Sequence, residues 1–243
     1  MRLSQAWIVA RHDMSLIRQR RGILVGLIAY PMGIALGIPA LVAYLVGLGQ
    51  DPASWIPSYL DAFSFWFVIG AATLPTTIAA YSIVGEKVSK SLEPLLATPT
   101  TDGEILLGKG LAAFVPTVLA MWAGSVVFQV LVDLVTRGPF GYWFYPNWQM
   151  AVILFVAMPL ATLLTIEASV VISARVTDVR SAQQYSGVIF LPLIFLYIAA
   201  EFKLTLNVTN LLIISGGFAC VVVALFFVGL RTFRREEILT RWK

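Results

Sequence analysis

Side chains able to do chemistry are few in this chain and lie far apart. Its 243 residues carry 17 basic and 13 acidic groups, one histidine (His12) and one cysteine (Cys220). A single histidine with no Cys/His cluster makes no protein-built zinc site, and a single cysteine makes no internal disulfide. The stretch Gly103-Glu-Ile-Leu-Leu-Gly108-Lys109-Gly110 has the G-x4-G-K spacing of a phosphate-binding loop. Gly110 stands where a Ser or Thr would reach the metal, and no strand precedes it, so nucleotide binding there is rejected. Three carboxylates fall in or beside apolar runs: Asp61, Asp133 and Glu167. A charge at the centre of a bilayer costs about 2.5–3.5 kcal/mol on insertion scales, which makes such groups functional candidates. Glu167 is the clearest, eight residues before Arg175 and so about 12 Å along a helix axis. It is the candidate for a pathway or gating role, against the alternative of a structural carboxylate paired within the bundle. Asp61 and Asp133 read as interfacial.

The elements that must position these groups follow from composition. Apolar residues make up 59% of the chain and charged ones only 12%, about half the charge of ordinary globular chains. Six apolar runs, near 22–49, 61–84, 105–134, 149–174, 184–200 and 211–230, approach or exceed the roughly 20 residues that cross a hydrocarbon core. The reading is an all-α membrane protein of six spans. Pro31 and Pro39 in the first run predict tilt or a kink. Pro192 lies inside the fifth run and Glu201 and Lys203 follow it, so the 196–212 region is open to a re-entrant reading. Before the spans, Leu3, Trp7, Ala10, Met14 and Ile17 recur at helical steps among arginines. That pattern predicts an amphipathic helix on the membrane surface with its bases towards anionic head groups. The expected division is an interface helix over 1–21, a transmembrane domain over 22–230 and a basic tail over 231–243. Gly22-x3-Gly26 and Gly33-x3-Gly37 allow close helix approach in the first span, either within the chain or between subunits.

Orientation follows from the bases. With six spans, fifteen of the seventeen fall on the side of the two termini, and only Arg137 and Lys203 lie opposite. Both termini and the stretch 85–110 are therefore expected in the cytoplasm of a multi-pass plasma-membrane protein. The net charge of +4 is thus explained by topology, with no nucleic acid as partner. Tyr142, Trp143, Phe144, Tyr145 and Trp148 cluster in an outer loop and read as interface anchors, as do Trp55 and Tyr59.

The stretch Gly85 to Gly110, GEKVSKSLEPLLATPTTDGEILLGKG, is the longest polar segment between two spans. Ser91 caps a short helix there, Pro94 is tolerated in its first turn, and Pro99 ends it. Thr101-Asp102-Gly103-Glu104 then reads as a capping box opening the next helix. Leu92, Leu95, Leu96 and Ala97, with Glu93 among them, are left as an aliphatic island facing water.

This segment resembles the signature between the second and third spans of ABC-2 type transporter permeases. The matching residues are Gly85-Glu86, then Leu92-Glu93-Pro94-Leu95-Leu96-Ala97-Thr98-Pro99, then Glu104 to Lys109. Many members have Gly-Thr before the Leu-Glu pair, where this chain has Lys90-Ser91; serine keeps the capping role. A second match follows in the correct order. The loop Ser173 to Gln184, with Arg175, Asp178 and Arg180, and the run Leu191-Pro192-Leu193-Ile194 resemble the family's fourth-to-fifth-span connection.

The resemblance implies a type V exporter-like bundle and a non-enzymatic transport subunit. It makes Glu86 and 91–99 the segment that docks on a separate cytoplasmic ABC ATPase, present in two copies. Arg175, Asp178 and Arg180 form a candidate second cytoplasmic contact. A second permease copy or a paralogue completes the pathway within membrane lipid. ATP and Mg are expected in the ATPase, with no cofactor or metal in this chain. The rival readings are an ion-coupled carrier using Glu167 and Asp133, and an intramembrane enzyme or redox subunit, or the non-catalytic membrane anchor of an enzyme complex. An enzyme or redox subunit would want clustered His, Cys or paired acids, which are not visible.

Overall fold

The computed structural model describes residues 3–48, 56–88, 100–173 and 208–232, with single positions between 176 and 191. All described elements are helical: α1 (Leu3–Gln19), α2 (Arg21–Gly47), α3 (Ile56–Ser64), α4 (Trp66–Val88), α5 (Asp102–Phe140), α6 (Trp148–Val152), α7 (Met158–Ser173) and α8 (Val208–Thr232). Five helical stretches are long and apolar enough to cross a membrane: Arg21–Gly47, Tyr59–Ala80, Gly103–Gly138, Trp148–Ser173 and Val208–Gly229. They correspond to five of the six apolar runs. The fifth run, 184–200, lies largely outside the described residues, as does the 196–212 region before Val208.

α1 and Thr101 mark one end of the bundle, the basic end; Tyr145 and its neighbours mark the other, the aromatic end. Of the five described spans, the fourth is the most enclosed and the last the most peripheral. The main core joins α2, α4, α5 and the fourth span around Phe67, Met121, Phe128, Met150, Ile153 and Met158. A second cluster at the basic end joins Ile17 of α1 with Leu27, Ile78, Leu106, Ala113, Ile166 and Val170.

Glycine sets the closest crossings, at positions other than those expected. A Cβ on Gly124 would stand 2.5 Å from Pro31 Cβ, and one on Gly70 would run into the Tyr30 ring. Gly22, Gly26, Gly33 and Gly37 have no other atom within 4 Å of a built Cβ, so the small-residue stripe of α2 serves no packing within the described chain. α2 itself runs on as one helix through Pro31 and Pro39, both buried.

The fourth span contains a wide turn whose hydrogen bonds can be traced. Between α6 and α7, Ile153–Ala157 forms a π-helical turn, and the Met158 N–H donates to the Ile153 carbonyl. That bond skips Leu154, whose carbonyl accepts from Trp122 Nε1 of α5 at 3.0 Å. Pro159 follows directly. It has no N–H to offer Phe155, and its ring crowds that carbonyl, so an ordinary α turn is disfavoured at this point. Buried hydroxyls nearby bond back to the preceding turn, as Thr162 Oγ1 does to the Met158 carbonyl and Thr165 Oγ1 to Ala161. This is how polar side chains are satisfied in an apolar bundle.

At the aromatic end, α5 stops at Gly141, which takes φ +75°, a left-handed cap that glycine adopts at no steric cost. The chain then turns back over the bundle. Asp133 Oδ1 accepts the N–H groups of Phe144 and Tyr145, both at 3.0 Å. Tyr145 is buried, and its hydroxyl donates to the Leu60 carbonyl (3.1 Å) and shares a hydrogen bond with Ser64 (2.8 Å). That insertion falls where α3 gives way to α4. Asn147 caps α6 through the Met150 N–H (2.7 Å) and donates to Asp61 at 3.2 Å. Asp133 and Tyr145 are therefore buried in the protein as the interior supports of this hairpin. Tyr142, Trp143 and Trp148 do stay exposed, as interface anchors should, with the Arg137 guanidinium 4.9 Å from the Trp143 ring.

Candidate coupling site at the basic end

Residues 89–99, which hold most of the expected docking segment, lie outside the described residues. Glu86 falls in the last turn of α4, whose backbone is described and whose side chains there are not. What is described is how the chain leaves this stretch. The capping box at 101–104 is fully formed: Thr101 Oγ1 accepts the Glu104 N–H at 3.3 Å, and Glu104 Oε2 accepts the Thr101 N–H at 3.0 Å. Glu104 is buried. The 39-residue helix α5 thus starts from a fixed point and runs about 58 Å, nearly twice a hydrocarbon core.

Two turns on, α1 lies across α5. A Cβ on Gly108 would stand 2.7 Å from both the Ala6 carbonyl and Val9 Cβ, so glycine is what permits this approach. Beside it Lys109 Nζ meets Asp13 Oδ2 at 3.3 Å, with side-chain exposures of 2% and 5%. The glycine-lysine pair of the phosphate-loop spacing is thereby occupied in helix packing, on a continuous helix. α1 is the helix that the spacing predicts, and part of the expected stripe, Ala10 and Ile17, packs on the protein. Its buried face is Ala6, Val9, Ala10, Asp13 and Ile17, turned to the protein, while Leu3 and Trp7 stay exposed beside Arg11 and Arg18. The three- and four-residue spacing was a correct signal for a helix. The small residue Ala6, outside that stripe, was the overlooked signal for which face meets another helix.

Glu167 sits half-buried on α7. Its Oε2 comes within 3.6 Å of where a Cβ on Gly229 of α8 would stand, beside Val171. It has no hydrogen-bond partner among the described residues. In the second loop, Asp178 Oδ2 accepts the Ser181 N–H (2.9 Å) and the Ser181 hydroxyl (3.1 Å). These bonds hold the exposed Asp178 carboxyl below its ordinary pKa, the arrangement of a helix N-cap. Arg180 is exposed, and Arg175 lies outside the described residues.

The helices and their lengths define a multi-pass all-α membrane protein. The chain belongs to the ABC-2 family of transporter proteins: residues 7–233 match the model of the ABC-2 family transporter protein. It is the membrane permease of an ABC transporter, a family of transport subunits that work with an ATP-binding ABC partner. No curated protein matches the chain.

Proposed function

We propose that the chain forms half of an exporter's substrate pathway and that Glu86 with residues 91–99 docks on a separate cytoplasmic ATPase. The observation that carries this is the exit from the segment. Residues 89–99 run from the end of α4 into a closed capping box, and the helix opened there is clamped by α1 two turns later. A push that reaches Thr101 is passed on to two helices of the bundle, α5 and α1. Two permeases, copies or paralogues, and two ATPases make the working complex in the plasma membrane, with both termini, 85–110 and the Arg175–Arg180 loop in the cytoplasm. ATP and Mg sit in the ATPase; this chain contributes no catalytic group.

Glu167 is the pathway or gating group. It faces α8, the most peripheral span, from α7 in the most enclosed one. The carrier reading that pairs it with Asp133 loses support, because Asp133 is consumed by two backbone N–H groups at the opposite end. The test is reconstitution of the permease with its ATPase in vesicles. Addition of permease should change the ATPase's hydrolysis rate, and Glu167→Gln should alter transport with assembly and expression near normal. A Glu167→Gln protein that fails to accumulate would make the carboxylate structural, and an ATPase indifferent to the permease would reject the exporter reading.

A further inference from the structure

Glu167 is the only charged residue between Trp148 and Ser173, and α8 carries none from Val208 to Leu230. The boundary where α7 and α8 pack together therefore holds a single charge. A Cβ on Gly229 would meet Glu167 Oε2 at 3.6 Å and Val171 Cγ2 at 3.8 Å, so the carboxylate lies against the bare backbone of α8. Three residues back, on the same side of α8, stands the half-buried ring of Phe226, while Phe227 is exposed. One strip of this boundary thus brings a carboxylate, an aromatic ring and aliphatic side chains together.

A carboxylate inside an apolar span is costly, and it either pairs with an opposite charge or marks the path of one. Among the described residues Glu167 has no ionic or hydrogen-bond partner. It stands about 12 Å along the helix from Arg175, deeper than a lipid head group reaches. An anion is repelled there, and a neutral apolar molecule gains nothing from the charge. A cation gains twice, because the carboxylate pairs with it and a ring face attracts it. We propose that this strip binds amphiphilic organic cations, with Glu167 as counter-charge and Phe226 as aromatic wall, and that the exporter's substrates belong to this class. The substrate class rests on the pathway reading of Glu167 given above.

The test measures binding of tetraphenylphosphonium to the full-length permease in lipid nanodiscs, with uptake by empty nanodiscs subtracted. It is repeated with tetraphenylborate, an anion of the same shape. Glu167→Gln should weaken the cation by about tenfold, the effect of a partly screened charge pair, and should not weaken the anion. Phe226→Leu should weaken the cation by about threefold and leave the anion unchanged. In the complex with the ATPase, the cation should change hydrolysis with wild-type permease and not with Glu167→Gln. No binding above empty nanodiscs, or equal cation binding by wild type and either variant, overturns the site. Equal loss of both ions in Glu167→Gln, or a variant that does not accumulate, makes the carboxylate structural and overturns it too. Charge-selective binding with hydrolysis indifferent to the cation keeps the site and overturns the substrate class. An ATPase that the permease itself does not affect rejects the exporter reading alone, because the binding measurement needs no ATPase.

Discussion

At the residue scale, three ionisable side chains on the spanning helices differ in their partners. Asp133 is a buried acceptor for two backbone N–H groups, Lys109 is half of an ion pair, and Glu167 has no such partner among the described residues. Asp133→Ala should leave both hairpin donors unpaired in the interior and destabilise the protein by about 3 kcal/mol. Thermal unfolding in detergent measures this, and a midpoint within a degree of wild type would show that the hairpin does not depend on that carboxylate. Glycines give a matched pair. Gly108→Val drives a side chain into Ala6 and Val9 and should cost about 1–3 kcal/mol through overpacking, whereas Gly33→Val adds one where a Cβ meets nothing among the described residues. Equal midpoints for the two variants would contradict the close crossing of α1 and α5.

At the element scale, the wide turn in the fourth span depends on two residues that sit on different helices. Trp122 supplies the donor that Leu154 would otherwise lack, and Pro159 removes the N–H that would close an ordinary turn. Trp122→Phe keeps most of the ring and loses the donor, so it should cost about 1–3 kcal/mol. Exchange of amides around 153–158 should rise first; if protection there were unchanged, the indole would not be the clip. This turn also shows what could be read in advance. Span positions were legible because an apolar run of about 20 residues has one solution in a bilayer. The Thr101-x-x-Glu104 box was legible because capping is local. The indole bond to Leu154 joins residues 32 apart, and nothing local announces it. The stripe of glycines on α2 has no packing partner among the described residues, while single glycines at 70, 108 and 124 mark close crossings there, because contact between helices depends on which faces meet. The bonds of Asp133 were hidden for the same reason, since its partners come from a hairpin that folds back over α5.

At the scale of the whole molecule, the bundle has a basic end where α1 packs across α5 and an aromatic end closed by a well-bonded hairpin. Labelling tests the orientation. On a background with the exposed Cys220 replaced by serine, Ser89→Cys should react only from the cytoplasm and Ser58→Cys only from outside. Reaction of both from outside would refute the topology drawn from the bases. The central claim is that residues 91–98 connect this bundle to an external power source. On this proposal Leu92, Leu95 and Leu96 enter a groove on the ATPase, where burial of each would contribute about 1.5–3 kcal/mol, and Glu86 and Glu93 would set register more than affinity. The most direct measurement is a pull-down of the ATPase by wild-type permease and by the Leu95→Asp, Leu96→Asp double variant, with transport assayed in the same vesicles. The account predicts that the double variant folds, loses the ATPase and stops transporting, while the ATPase alone keeps its basal hydrolysis. Undiminished binding and transport in the double variant would contradict it.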